Sequence, residues 1–160
     1  MGFATHLGPW LLGTNRYTTG TTADTTRNTG SSIVLQSKAV TFAETTDTTL
    51  AALPAGSLIT AVQLYVDTTA FNGTSPTLTI KVGATTIGTI TPTSGTAGLY
   101  TMTATTTAAN LLKMSNVGTT DVFVTYAVSG TTVTTGAGTL VIAYTVRGSD
   151  GVGYPVGNQN

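Results

Sequence analysis

The sequence predicts an all-β fold: an antiparallel β-sandwich or jelly roll preceded by an extended N-terminal arm. Forty of the 160 residues are threonine, a β-branched residue that favours pleated backbone and tolerates either face of a sheet. Apolar residues recur at every second position in several short segments, which is the spacing of half-buried strands. Glycine, proline and asparagine turn signals separate these segments at short intervals, as they do in sandwiches and jelly rolls.

The first predicted strands lead into a long central one. Residues 33–42 form the first, and residues 50–53 form a short apolar piece that ends at a Pro-Ala-Gly turn signal. The central strand follows at once. The alternation places these residues on one side of it: Leu58, Thr60, Val62, Leu64 and Val66.

A tight hairpin is expected after the central strand. The Asn72-Gly73 pair marks a turn, and apolar alternation then resumes over residues 78–82. The glycine at position 83 predicts a short turn that returns the chain along residues 87–90.

The second half of the chain adds three predicted strands and the one predicted helix. The strands cover residues 99–105, 121–129 and 139–147. The helix, over residues 107–114, is too short to be stable without packing, and we expect it to cross over between the sheets. The total is seven or eight strands, with no strand–helix alternation of the kind that builds parallel sheets.

The sequence divides into an arm at residues 1–31, a sandwich domain at residues 32–148 and a C-terminal tail at residues 149–160. The arm holds an apolar cluster followed by a polar run without periodicity, so it is either a disordered tail or an extended arm that orders against a neighbouring subunit. We favour the second interpretation because the sole tryptophan lies in this cluster, and tryptophan often anchors interfaces. The predicted contact residues are His6, Leu7, Pro9, Trp10, Leu11 and Leu12.

Charge is scarce and evenly balanced. Charged residues make up 8 % of the chain, against about 25 % in an ordinary domain, and the formal net charge is +0. Such a surface offers little repulsion against association, which suits a subunit held in an assembly. The basic residues form no run of the kind that binds nucleic acid or anionic lipid, and no apolar segment is long enough to span a bilayer. We therefore expect neither nucleic acid nor a membrane as a partner.

No group of residues predicts catalysis, a metal or a cofactor, so we expect a protein that is not an enzyme. His6 is the sole histidine, and the sequence contains no cysteine. Asp67 and Asp121 are the best candidates for a glycosidase-type carboxylate pair, although nothing favours them over two acids at strand ends. Four tyrosines could stack on sugars, but core packing is the preferred interpretation for them. They are Tyr65, Tyr100, Tyr126 and Tyr144.

Three segments resemble small structural proteins of tailed bacteriophages, including short virion proteins of marine phages. They are LPAGSLITAVQLYVDTTAFNGTSPTLTIKVGATTIGT at 53–89, TGAGTLVIAYTV at 135–146 and GFATHLGPWLLGT at 2–14. The resemblance implies a virion protein, assembled in the host cytoplasm, that decorates and cements the capsid. Its implied partners are the major capsid protein and copies of itself, commonly as a homotrimer. The alternative is a tail, fibre or head-fibre component that contacts host glycans.

Overall fold

A computed structural model describes residues 33–146 of the chain. The predicted arm at residues 1–31 and the predicted tail at residues 149–160 lie outside the described residues. The domain boundaries therefore stay predictions.

The described residues form nine strands and one helix. The strands of the first half are β1 Ile33–Thr41, β2 Thr48–Leu53, β3 Leu58–Val66, β4 Thr74–Val82 and β5 Thr85–Ile90. The second half contains β6 Gly98–Thr101, β7 Thr103–Ala104, α1 Ala108–Ser115, β8 Val122–Thr131 and β9 Ala137–Thr145.

The strands form two antiparallel sheets, which confirms the predicted all-β sandwich. One sheet has four strands in the order β1-β9-β3-β6, and the other has five in the order β2-β8-β4-β5-β7. If the two-residue strand β7 is set aside, eight strands remain, four in each sheet. Among these eight strands, consecutive ones lie in different sheets everywhere except in the β4–β5 hairpin. This interleaved arrangement of eight strands is that of a jelly roll.

The predicted hairpin is confirmed as β4 and β5. Val82 pairs with Thr85, so the turn between them consists of two residues. The first of these, Gly83, has a φ of 57°, which a two-residue turn of the II′ type requires at that position.

The core lies between the sheets and is made of the inward-facing residues of both. On β8 and β9 the apolar residues that alternate in the sequence lie on the inward side. The buried residues there are Val124, Tyr126, Val128, Leu140, Ile142 and Tyr144. Branched residues of β3, β4 and β5 meet them from the other strands and complete one contiguous cluster. This burial of apolar surface supplies the main favourable term in folding.

The predicted face of β3 is wrong at its start. Ile59 is buried at 3 % exposure, whereas Thr60, which the alternation groups with Val62, is exposed. The pairing with β9 shifts register between Ile59 and Ala61, so one extra residue reverses the alternation. From Val62 onward the predicted alternation is correct, and Val62, Leu64 and Val66 are all buried. A β-bulge of this kind leaves no simple mark in a periodic pattern.

The single strand predicted over residues 99–105 is in fact two short strands in different sheets. Between them the Met102 N–H donates to the carbonyl of Val62 in the four-stranded sheet, at 2.9 Å. The Thr105 N–H donates to Ile87 in the five-stranded sheet, at 2.8 Å. Gly88 permits this crossing, because a Cβ there would lie 2.5 Å from the Thr103 carbonyl oxygen. Because this break divides one predicted strand into two, the described residues form nine strands where the sequence predicts seven or eight.

The helix is where the sequence predicts it, to within one residue, but it does not cross between the sheets. It joins β7 to β8, and both belong to the five-stranded sheet. It packs against β5 and β3. The Asn110 side chain ties it to β5 by donating to the Thr86 carbonyl at 2.9 Å.

The connection from β3 to β4 is fastened to the connection from β8 to β9. The Asn72 side-chain oxygen accepts from the N–H groups of Thr134 and Thr135, at 2.7 and 2.9 Å. Beside it the ring of Phe71 is fully buried, and Gly136 lies against that ring. The asparagine at the predicted turn therefore joins two loops at one end of the sandwich.

We predict that Gly136→Ala destabilises the domain. An added Cβ would lie 2.4 Å from Phe71 Cδ1, and the φ of 146° at this position disfavours any side chain. Overpacking and backbone strain together predict a loss of about 2–4 kcal/mol in the free energy of unfolding, measured by urea denaturation. Gly95→Ala is the matched control. Gly95 also has a positive φ, 71°, but no atom lies within 4 Å of the added Cβ, so a loss of only about 1 kcal/mol is expected. Equal losses in the two variants would contradict the packing argument.

Candidate interaction surface

The outer faces of the two sheets differ in composition. The outer face of the five-stranded sheet is rich in threonine, and we call it the threonine face. Strand register places these outward residues side by side in rows: Thr49, Thr125, Lys81 and Thr86 in one row, and Ala127, Thr79, Thr89 and Thr103 in the next. Paired threonines of this kind are compatible with water and stabilise antiparallel strands modestly.

The outer face of the four-stranded sheet carries large apolar side chains among uncharged polar ones. Register again fixes the neighbours: Ile33 and Leu58 flank Thr145, Leu35 and Ala61 flank Ala143, and Leu99 lies opposite Tyr65. We call this surface the apolar face. Its apolar members are Ile33, Leu35, Leu58, Ala61, Tyr65, Leu99, Val141 and Ala143, and the uncharged polar residues Ser37, Gln63, Thr101, Thr139 and Thr145 lie among them. Several of these side chains are strongly solvent-exposed, including Leu35 at 67 % and Leu99 at 54 %. Groups of exposed apolar side chains of this kind mark interaction sites.

No charged side chain lies on the apolar face within residues 33–146. The charged residues of that range are Lys38, Glu44, Asp47, Asp67, Lys81, Lys113 and Asp121. Four of them lie in connections between strands and one lies on the helix. Of the two on strands, Lys81 points outward on the threonine face and pairs with Asp47 at 2.9 Å. Lys38 points inward from β1. Any partner can therefore cover the apolar face without desolvating a charge.

The free edge of β1 carries a charged side chain that opposes the addition of another strand. β1 pairs with β9 and with no other described strand. The inward-pointing Lys38 donates to the Thr49 carbonyl at 2.8 Å and lies 5.6 Å from the centre of the Tyr126 ring. A charged residue that points inward from an edge strand is one of the ways proteins prevent edge-to-edge pairing. The outer face of this sheet is therefore better suited to contact than its β1 edge.

Burial raises the pKa of the Tyr126 hydroxyl beneath this edge, and the nearby Glu44 carboxylate raises it further. The hydroxyl is inaccessible to solvent and has no hydrogen-bond partner among the described residues. Ionisation would place a phenolate in the core near the Glu44 carboxylate. Burial and the nearby negative charge therefore both favour the neutral hydroxyl.

We predict that the fold loses stability in alkaline solution through Tyr126. The folded-state pKa lies above the ordinary tyrosine value of 10.0, so the stabilisation is complete below that pH and declines as the pH rises above it. Urea denaturation of Tyr126→Phe and of the native chain, compared at about pH 8 and about pH 11, measures the effect. The native chain should lose more stability between these conditions than the variant. An equal loss would contradict the assignment to Tyr126.

The carboxylate pair considered from sequence is not brought together. Asp121 accepts from the Ala55 N–H at 3.0 Å, next to the start of β3. Asp67 follows the end of the same strand and accepts from the Thr68 N–H at 2.7 Å. A nine-residue strand is about 26 Å long, so the two carboxylates lie near opposite ends of the sandwich. Both acids fasten turns.

Three of the four tyrosines considered from sequence lie in the core or pack against it, which agrees with the preferred interpretation. Tyr126 and Tyr144 are buried, and Tyr100 packs partly buried against the core. Tyr65 differs, because it is 46 % exposed on the apolar face. The predicted arm contacts His6, Leu7, Pro9, Trp10, Leu11 and Leu12 lie outside the described residues.

Within residues 33–146, no cluster of three or more histidine, cysteine or acidic side chains is placed to hold a metal ion. Among the same residues, no helix has the length and apolar character needed to cross a bilayer.

Comparison with known proteins adds one structural likeness. No protein-family model matches the sequence, and no curated protein matches it. The fold is similar to a chain of the cyanophage Pam1 capsid asymmetric unit, with a TM-score of 0.42 and 17 % sequence identity. The similarity covers 73 % of this chain and 86 % of that one. At this TM-score and identity, the likeness decides neither the fold nor the function of the chain.

Proposed function

We propose that the chain is a structural protein of a phage virion, and specifically a decoration or cement protein. It binds the surface of the head and stabilises the shell by bridging capsid subunits. The observation that carries the proposal is the apolar face, a continuous uncharged surface on an otherwise hydrated sandwich. Apolar side chains are costly to expose to water, and this surface holds no catalytic or ligand-binding group. The simplest function for such a surface is contact with another protein.

The composition supports the same function. With charged residues at 8 % and a formal net charge of +0, free copies have little electrostatic protection against association. Fixed positions in a shell remove that disadvantage. Repeated weak contacts between many copies also add to a high total affinity. The choice of a phage virion comes from the three segments that resemble phage structural proteins.

The proposed partners are the major capsid protein and further copies of the chain, arranged as a homotrimer. A closed threefold arrangement would cover surface that a single copy leaves exposed. The arm contacts the neighbour or the capsid through the cluster around Trp10. The proposal includes no catalytic step and no cofactor, and neither nucleic acid nor a membrane is a partner. The protein resides in the virion, after assembly in the host cytoplasm.

We predict that removing residues 1–31 abolishes attachment to heads. Heads purified from the encoding phage after deletion of the gene would be sedimented with the added chain, and the bound fraction measured. A less drastic change, Trp10→Ala in the full chain, should weaken attachment about 30-fold or more, as the loss of an interface hot spot of about 2 kcal/mol does. A chain that lacks residues 149–160 is the control for truncation.

Two results would overturn different parts of the proposal. If heads bind the shortened chain as well as the full one, the arm is not the contact. If mass spectrometry of purified virions does not detect the chain, the virion function itself is wrong.

The second candidate is a tail, fibre or head-fibre component that contacts host glycans, and the exposed ring of Tyr65 favours it. Exposed aromatic rings stack on the apolar faces of sugars, and Leu99 beside it would extend the platform. A glycan array separates the two functions. The glycan function predicts binding that Tyr65→Ala abolishes and that the interior change Tyr126→Phe preserves, whereas the decoration function predicts no glycan binding.

A further inference from the structure

The apolar face is too small to hold a second sandwich by itself. It extends across four strands and about six residues along them, which gives roughly 20 Å by 20 Å, or about 400 Å². A specific interface between two rigid proteins buries about 800 Å² on each partner. A short apolar segment needs far less, so the face fits a peptide better than a whole domain.

The contact would be made through side chains on the face and not through an added strand. Lys38 protects the free edge of β1, as described above. The face itself is a row of branched and small residues, among them Leu35, Val141 and Ala143, that a partner can cover by side-chain packing alone. A proline in the partner is no disadvantage in such a contact, because no ladder hydrogen bond is lost.

One segment of this chain matches these requirements. Residues 7–12, LGPWLL, contain no charge, include a proline and are the chain's densest apolar cluster outside the described residues. Six extended residues are about 20 Å long, which equals the length of the face. The chain also enters the four-stranded sheet at Ile33, at one corner of the apolar face.

We propose that residues 7–12 of one copy dock on the apolar face of a neighbouring copy, with Trp10 as the anchor. The intervening residues 13–32 are 20 in number and reach up to about 66–70 Å when extended, three times the length of the face. A return to the chain's own face would need only a turn, whereas this length spans a neighbouring sandwich. This inference rests on the proposed assembly function and names the surface that receives the arm.

Trp10 reports on this contact directly, because it is the only tryptophan of the chain. In the purified full-length chain without heads, its fluorescence should be blue-shifted and protected from acrylamide. Leu35→Glu and Leu99→Glu each place a charge on the face and should shift the emission to the red, with a several-fold rise in quenching. Phe123→Glu is the matched control, since Phe123 is 60 % exposed on the opposite sheet and should leave the emission unchanged. Far-UV circular dichroism and urea denaturation establish that the variants are folded.

Mixing two variants identifies the source of the arm. The Leu35→Glu chain supplies an intact arm and a blocked face, and a Trp10→Ala chain supplies an open face without a fluorescent arm. A blue shift on mixing supports docking between copies. Emission that stays red in the mixture would overturn the neighbouring copy as the source.

Two further results would overturn the docking as a whole. One is solvent-exposed emission from the native chain, and the other is an unchanged spectrum in both face variants. Neither result depends on heads, so failure here is distinguishable from failure of the virion function, which the sedimentation assay and mass spectrometry test separately.

Discussion

Packing between the inner faces of the two sheets is the interaction on which the rest of this structure depends. The side chains of each strand point alternately to the two faces of its sheet. When one face packs into the shared core, the other face therefore lies outside it. Residues such as Leu64, Ile80 and Ile142 are fully buried in that core. Folding therefore needs only one face of each sheet to be apolar. The apolar character of a second face, on the four-stranded sheet, has to be explained by something other than folding.

The sequence predicted the core of several strands because their alternation is unbroken. Over residues 124–128 and 140–144, every second residue is a valine, leucine, isoleucine or tyrosine, and these are the residues that the structure buries. The prediction failed at Thr60 and at Met102, where the pairing partner changes the outcome. A bulge and a crossing between sheets depend on the strand on the far side, which local periodicity does not contain.

The apolar face was missed for a related reason. In residues 33–41 both sides of the strand are partly apolar, with Ile33 and Leu35 on one side and Val34 and Val40 on the other. Sequence alone does not tell which side packs inward. The signal was nevertheless present, because apolar residues at both parities are more than a half-buried strand needs. Residues 122–128 show the same pattern, but only Phe123 is exposed there, next to the polar rows of the threonine face.

Two of the three segments that resemble phage proteins, 53–89 and 135–146, have structural roles in the loops at both ends of the sandwich. At one end the Ser57 hydroxyl donates to the Pro54 carbonyl at 2.6 Å, and the Gly56 N–H donates to Gly118 at 2.8 Å. At the other end, Asn72 and Phe71 fasten the β8–β9 connection. Because these residues stabilise turns of the sandwich, the resemblance that they carry says more about the fold than about which partner the protein binds.

The difference between the two outer faces also constrains how the protein would be oriented in an assembly. The threonine face carries Lys81, paired with Asp47, and its hydroxyls remain compatible with water. The apolar face carries no charge among the described residues and loses least by being covered. Covering its apolar side chains is favourable in proportion to the apolar area removed from water, before the costs of ordering a partner segment. In such an assembly the threonine face would be the one left toward the solvent.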